Sequence, residues 1–199
     1  MGRRSDHTRD ELKELLVAEG RRQLAEVGLA RFSTRDVAKR VGYSVGTLYN
    51  VFVTFDGLIL SINARTLAAW IAYLHGRLAD PDDGDRIATL VRGYFEFATA
   101  NPKAWIAIYE HNMADGGAAP DWYLAVVAEV MGIAEAEIAT ALPRAPHAEV
   151  ASLARSLVAT VHGHCTFSLY RTFDLLGETS PAGAALARVR EALAASRVR

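Results

Sequence analysis

The sequence predicts an all-α fold of about nine helices, and three observations support that prediction. In nearly every segment between Gly, Pro and Asp breaks, apolar residues recur three or four positions apart, which is the spacing of one helix face. No window alternates apolar and polar residues with β-branched enrichment, as a half-buried strand would. The 199 residues, 51% of them hydrophobic, are enough to bury a core in one compact unit or in two modest domains.

The first helix is predicted from about Thr8 to Val27. Residues at helical spacing form one stripe that should face the core: Leu12, Leu16, Gly20, Leu24 and Val27. Gly28 follows the last of them, and a glycine in this position commonly ends a helix.

Two short helices are predicted next, over 34–41 and 45–52. Ser33 can cap the first of them, with Asp36 reciprocating, and Ser44 can cap the second. Gly42 lies in the three-residue turn between them. The buried face predicted for the first helix is Val37, Ala38 and Val41. In the second helix Val45, Leu48, Tyr49 and Phe52 fall at i, i+3, i+4 and i+7, which is helical spacing. Two short helices joined by a tight turn that contains glycine define a helix-turn-helix.

A fourth, longer helix is predicted over 55–78, with Thr54 as its cap. It ends at the break over 80–84, which is the candidate hinge between two domains. We therefore predict a helix-turn-helix domain over 1–55 (the motif itself over 33–52), with helix four as connector, and a second domain over 79–199. Further helices are predicted near 85–100, 103–113, 121–141, 147–176 and 181–196.

Charge is distributed unevenly between the two predicted domains. Residues 1–55 contain ten Lys and Arg against seven Asp and Glu, a net charge of +3, whereas residues 56–199 carry −4. A mildly basic N-terminal domain and an acidic remainder are expected where only the N-terminal domain contacts DNA phosphates. The same distribution disfavours a protein that coats DNA without sequence preference. The single Cys165, the polar residues after Met1 and the interrupted apolar stretch over 58–74 predict a cytoplasmic protein that does not span a membrane.

The second short helix is predicted to contact DNA bases. In a helix-turn-helix this helix enters the major groove and the first lies across the backbone, so the outward residues must be small or polar. Asn50 could bond an adenine edge, Thr47 could contact a thymine, and Tyr49 is long enough to reach a phosphate. The predicted contact residues on the two helices are Thr34, Arg35, Lys39, Arg40, Ser44, Val45, Thr47, Tyr49 and Asn50.

These residues resemble a known family. Gly28, the runs 33–38 and 42–52, and Leu58 are similar to the DNA-binding domain of the tetracycline repressor (TetR) family. The resemblance implies a homodimeric repressor that reads a roughly palindromic operator and is released when a ligand enters the C-terminal domain. Family members usually have His where Val51 stands and a phosphate-contacting Lys where Phe55 stands. Phosphate contacts are therefore expected to rest more on Arg3, Arg4, Arg35 and Lys39.

The second domain bears a weaker resemblance to a TetR subgroup named WHG for its Trp and His-Gly positions. Trp105, the runs 108–111 and 121–123, and His162-Gly163 carry this resemblance. Large rings with polar edges commonly line a concave apolar ligand site, although the same rings could fill the core of a bundle. We predict a pocket for an apolar or aromatic effector, bounded by Phe95, Trp105, Tyr109, Trp122, Tyr123, His162 and Cys165.

The last two predicted helices, 147–176 and 181–196, are expected to form a dimer interface. Gly163, with Ala159 and Phe167 at four-residue spacing, would allow close helix approach. A two-fold dimer would cover their apolar face and space two recognition helices one DNA turn apart.

Other interpretations rest on weaker patterns. The run from Gly42 to Gly46 fits G-x-S-x-G, but that nucleophile elbow needs a strand before its Ser. Of His162, His164 and Cys165, only His162 and Cys165 share a helix face, because positions i and i+2 point apart. A metal site would need a third ligand, such as Glu110 or His111 brought in by folding. No nucleophile-base pair, phosphate loop or cofactor motif supports an all-α enzyme. We therefore expect no catalysis, metal or cofactor, while repression or activation, the effector and the operator stay open.

Overall fold

The computed structural model describes residues 7–79, 84–111, 113 and 116–197. Over these residues the fold is all-α, as predicted, with no strand. The helices are α1 (Arg9–Val27), α2 (Thr34–Val41), α3 (Val45–Phe52), α4 (Phe55–Leu78), α5 (Arg86–Ala100), α6 (Pro102–Glu110), α7 (Asp121–Ala141), α8 (His147–Leu169), α9 (Thr172–Leu176) and α10 (Pro181–Arg197), and a 3₁₀ turn covers Leu29–Arg31. Arg3, Arg4 and most of the predicted hinge, 80–83, lie outside the described residues.

The helices form two compact units. The first comprises Met1–Ala68 with Asn101–Leu124, and the second comprises Ala69–Ala100 with Ala125–Arg199. The first unit contains α6 as well as the predicted head, because Ala104 and Ala107 are buried in the same core cluster as α1, α2 and α3. Helix α4 contributes residues to both units.

Helix α1 begins directly after its N-cap residue, Thr8. Thr8 and Glu11 form a reciprocal capping box, in which the Thr8 hydroxyl accepts from the Glu11 amide at 3.3 Å and the Glu11 carboxylate accepts from the Thr8 amide at 2.7 Å. The predicted stripe is buried except at Val27, which is half-buried. Gly28 ends the helix at a φ of 76°, a value that favours glycine.

The predicted helix over 147–176 is divided into α8 and α9. Arg171 has a φ of 59° and a ψ of 22°, in the left-handed region, so the α-helical hydrogen-bond pattern stops there. Neither Gly nor Pro marks this position, and the apolar spacing continues across it. The sequence therefore predicted one continuous helix where the backbone turns.

Helix α4 is long, apolar and low in charged residues. By length and composition it could cross a membrane, but 56% of its apolar window is buried within the protein. Its polar residues Asn63 and Thr66 are buried as well.

The second unit is held partly by an ion pair between the exposed Arg86 and the buried Glu137. The Arg86 guanidinium donates two hydrogen bonds of 2.6 Å to the Glu137 carboxylate, which joins the first turn of α5 to α7. Arg86 also donates to the Leu78 carbonyl at 2.9 Å. A bidentate pair with one buried partner fixes the relative position of the two helices more firmly than an exposed pair would.

Candidate DNA-binding surface and ligand cavity

Serine caps and a left-handed glycine position α2 and α3. The Ser33 hydroxyl accepts from the Asp36 amide at 3.2 Å, and the Ser44 hydroxyl accepts from the Thr47 amide at 3.1 Å, as predicted. Between the helices Gly42 has a φ of 88°. At Ser33 the structure shows only this forward half of the predicted capping box, because the Asp side chain is one methylene shorter than the Glu that usually completes it.

Burial of one face determines which residues of α3 point outward. Leu48 and Phe52 are buried against Leu58, Ile59 and Ile62 of α4 in a shared core cluster. The opposite face presents the predicted contact residues: Ser44, Tyr49 and Asn50 are exposed, and Val45 and Thr47 are half-buried. On α2, Arg35 and Lys39 are exposed and Thr34 is half-buried. Polar groups of both helices are thus available to a nucleic acid.

Arg40 differs from its neighbours on α2. Its guanidinium lies 3.1 Å from a Glu19 carboxylate oxygen and 3.3 Å from one of Glu26, both on α1. Arg22 shares the same two carboxylates at 2.7 and 2.5 Å. Arg40 is therefore engaged in an ion-pair network, which the sequence did not indicate because α1 and α2 meet only in the folded chain.

The second unit contains a partly open apolar cavity of about 60 Å³. Aliphatic side chains and two rings line it, and no charged residue does: Trp70, Leu74, Ile87, Leu90, Val91, Tyr94, Val130, Ile133, Ala134, Ile138, Leu157, Val158, Val161 and Val189. The Trp70 and Tyr94 rings meet edge to face at 5.3 Å. Such a surface can accept an uncharged apolar molecule.

A hydrogen-bonded chain adjoins this cavity. The Tyr94 hydroxyl lies 2.8 Å from His162 Nδ1, and His162 Nε2 lies 3.3 Å from the Thr166 hydroxyl. Burial lowers the pKa of the His162 imidazole, so its neutral form is favoured. Burial also raises the pKa of the Cys165 thiol to about 11, which keeps that group protonated and unreactive at neutral pH.

None of the seven predicted pocket residues lines this cavity, and they divide between the two units. In the first unit Trp105 is 1% exposed and packs against Tyr109, while Trp122 is 48% exposed. In the second unit Phe95, His162 and Cys165 are buried or half-buried on α5 and α8, two of the helices that line the cavity. The lining residues gave no sequence signal of their own, since Val, Leu and Ile at helical spacing read as ordinary core.

Two family comparisons cover most of the chain. Residues 16–62 match the model described as bacterial regulatory proteins, tetR family, and residues 87–193 match that of the tetracyclin repressor-like C-terminal domain. The second match alone spans more than half of the 199 residues. The chain belongs to the TetR family. Its TetR N-terminal match runs from α1 into α4 and includes both serine caps. The description of the C-terminal model does not name the WHG subgroup, which stays a prediction.

Individual relatives agree with this TetR assignment. HTH-type transcriptional regulators of Mycobacterium tuberculosis and Mycobacterium bovis are 31% identical over 138 residues, which is 66% of this chain and 57% of each relative. The match thus spans little more than half the length of these relatives. A TetR transcription regulator from Haloarcula marismortui has a TM-score of 0.65 at 18% identity, covering 94% of this chain and 98% of that one. The multidrug binding protein EbrR, solved with imidazole, has a TM-score of 0.62 at 22% identity, covering 96% and 97%.

Proposed function

We propose that the protein is a homodimeric, sequence-specific DNA-binding repressor of the cytoplasm that leaves its operator when a small apolar effector binds. The observation that carries the DNA-binding part is α3, whose buried Leu48 and Phe52 aim Thr47, Tyr49 and Asn50 away from the core. This arrangement is the one that a recognition helix needs in the major groove. Exposed Arg35 and Lys39 on α2 supply cations for phosphate contacts.

The effector part of the proposal rests on the cavity in the second unit. Its uncharged lining favours a neutral, apolar or aromatic molecule, because a charge placed there would lose its hydration without a partner. A volume of about 60 Å³ suits a small ligand, and a larger one would require its walls to move. The multidrug binding protein EbrR was solved in complex with imidazole, which supports a small-molecule effector for this chain by analogy.

Helix α4 provides a route from effector to DNA. Leu58 and Ile62 of its first turns belong to the core that holds α3, and Trp70 and Leu74 further along line the cavity. One continuous helix carries both pairs of residues. A ligand that displaces Trp70 would therefore shift the α4 residues in the core that holds α3. Groove spacing is fixed, so a small change in the separation of two recognition helices loses one half-site.

Apolar residues exposed from the end of α8 through α9 support the dimer proposal. Phe167, Tyr170, Leu175 and Leu176 are all exposed, and Leu175 is 87% exposed. A two-fold interface over the last helices would remove such side chains from water. Sedimentation of the purified protein should give twice the 21.6 kDa chain mass, and a monomer at micromolar concentration would contradict a stable dimer.

The deciding experiment is selection of bound duplexes from randomised DNA at moderate salt, followed by sequencing. Enrichment of an inverted repeat is expected, because two copies of α3 would read two half-sites. Binding without any enriched sequence would overturn the proposal of a site-specific regulator. Addition of neutral aromatic compounds to the recovered complex should then release the DNA, which a gel-shift assay can follow.

A further inference from the structure

Two polar contacts join the end of α6 to the start of α4. The Asn63 amide donates to the backbone carbonyl of Ala107 at 3.2 Å. One turn further along α6, His111 Nε2 lies 3.2 Å from Asp56 Oδ1, which is within ion-pair distance when the imidazole is protonated, although Nε2 forms no hydrogen bond among the described residues. Asp56 and Asn63 are seven residues apart on α4, so they occupy the same face of that helix. All four residues belong to the first unit.

Apolar packing in the shared core does not by itself determine the register of α6 on α4. In the core cluster that includes Leu48 and Phe52 of α3, α6 contributes only Ala104 and Ala107 among the described residues. Methyl groups allow close approach but leave a helix able to shift along its neighbour, whereas a hydrogen bond to one carbonyl selects a single register. Packing against α1 and the fully buried Trp105 already hold α6 in the first unit, and the two polar contacts add a specific attachment of α6 to α4.

The attachment through Asn63 is weakened by an unpaired atom of the same side chain. Its side chain is fully buried, and its Oδ1 has no hydrogen-bond partner among the described residues. A buried unpaired acceptor destabilises the packed arrangement relative to one in which solvent reaches the amide. A modest perturbation can thus move the balance between an attached and a displaced α6.

His111 makes the second contact sensitive to pH. Burial lowers the pKa of its imidazole, and the Asp56 carboxylate opposes that shift. Asp56 is the charged group that α4 presents to the ring, Phe55 packs edge-on at 6.2 Å, and Glu110 precedes His111 in the chain. A displaced α6 would expose the ring and restore its ordinary proton affinity. Protonation therefore favours displacement.

We propose that Asn63 and His111 are positioning residues for DNA binding: they hold α6 on α4, and the affinity of α3 for the operator depends on that attachment. The proposal rests on the proposed DNA-binding function. Its physical basis is one core cluster that contains residues of α3, of the first turns of α4 and of α6. Displacement of α6 therefore changes the packing that positions α3. The buried Asn63 acts on DNA only through that core.

The first test compares two buried polar positions on α4. Asn63→Leu removes the amide at similar volume, and Thr66→Val removes a buried hydroxyl that donates to the Ile62 carbonyl of its own helix, at 3.3 Å. With the full chain and its selected operator, Asn63→Leu is expected to weaken binding at least about fivefold, whereas Thr66→Val binds like the wild type. Equal affinity of Asn63→Leu and the wild type overturns the proposal.

The second test is a pH profile, which a merely structural role would not change. His111→Asn keeps an amide beside Asp56 but cannot titrate. The ratio of wild-type to variant operator affinity is expected to fall as the pH decreases from about 8 to about 5.5. A ratio that stays constant overturns the proposal even if Asn63→Leu does not fold. Failure of the wild type to select any duplex would count instead against the proposed function.

Discussion

Cationic residues of α2 are not equivalent once the chain is folded. Arg40 is paired with Glu19 and Glu26, while Arg35 and Lys39 project from the exposed face. An exposed ion pair contributes little to stability, but it neutralises the charge that a phosphate contact requires. Lys39 and Arg35 are therefore expected to provide more of the salt-dependent DNA affinity than Arg40 does.

Asn50 and Lys39 should affect DNA binding in different ways. Asn50→Ala is expected to cost about 1–3 kcal/mol at one operator position, because the amide would pair with a base edge. Lys39→Ala should weaken all sequences alike and reduce the salt slope by about one, as a lost phosphate contact does. Competition binding with single-base operator variants distinguishes the two results. Unchanged discrimination in Asn50→Ala would contradict the role of α3.

Two buried histidines should make stability depend on pH. Burial lowers the pKa of His111 and of His162, so below about pH 6.5 the unfolded chain binds more protons than the folded one. The contribution of the two histidines to the free energy of unfolding is therefore complete above about pH 6.5, and it is lost as the pH falls toward about 5. Urea unfolding at several pH values measures this slope, which His162→Asn should reduce. An equal slope in the variant would exclude His162 as a contributor.

At the scale of helices, the junction between α3 and α4 contains a strained residue. Val53 has a φ of 66° and a ψ of −50°, a conformation that a β-branched residue rarely adopts. Thr54 caps α4 immediately afterwards by accepting from the Gly57 amide at 3.0 Å, as predicted. The short connection required by these two helix ends thus imposes the unusual backbone on Val53.

Replacing Val53 with glycine should stabilise the protein. The side chain is 76% exposed, so its removal loses little packing, while glycine adopts a positive φ without steric penalty. Val53→Gly is expected to raise the free energy of unfolding by about 1 kcal/mol. Val53→Ala keeps a Cβ and serves as the control, which should gain much less. Identical denaturation midpoints for the two variants would argue against strain at this position.

At the scale of the whole molecule, blocking the cavity should separate effector response from DNA binding. Ala134→Leu adds bulk to the cavity wall, and Ala128→Leu makes the same change at an exposed position of α7. The first variant is expected to bind its operator but to resist release by effector, with a stability loss of about 1–3 kcal/mol from overpacking. The second should respond normally. Release of Ala134→Leu at wild-type effector concentration would place the effector elsewhere.

Much of this architecture was predictable because its signals are local. The caps Ser33, Ser44 and Thr54 and the glycine turn at Gly42 lie within a few residues of the helix ends they determine. Helical periodicity then orients α3, since its apolar positions must face a core whatever that core contains. The break at Arg171 escaped prediction because a left-handed arginine has no sequence signature comparable to that of glycine.

The sequence by itself determined the all-α class, the helix-turn-helix and the outward set of residues on α3. Only the tertiary structure decided that Arg40 is neutralised by α1, that α6 packs into the core of the DNA-reading unit, and that the cavity is lined mainly by aliphatic residues. Periodicity and capping are set by neighbours within about one helical turn, which a sequence displays directly. Ion pairs, helix register and empty volume depend on contacts between residues tens of positions apart, and these exist only once the helices have packed.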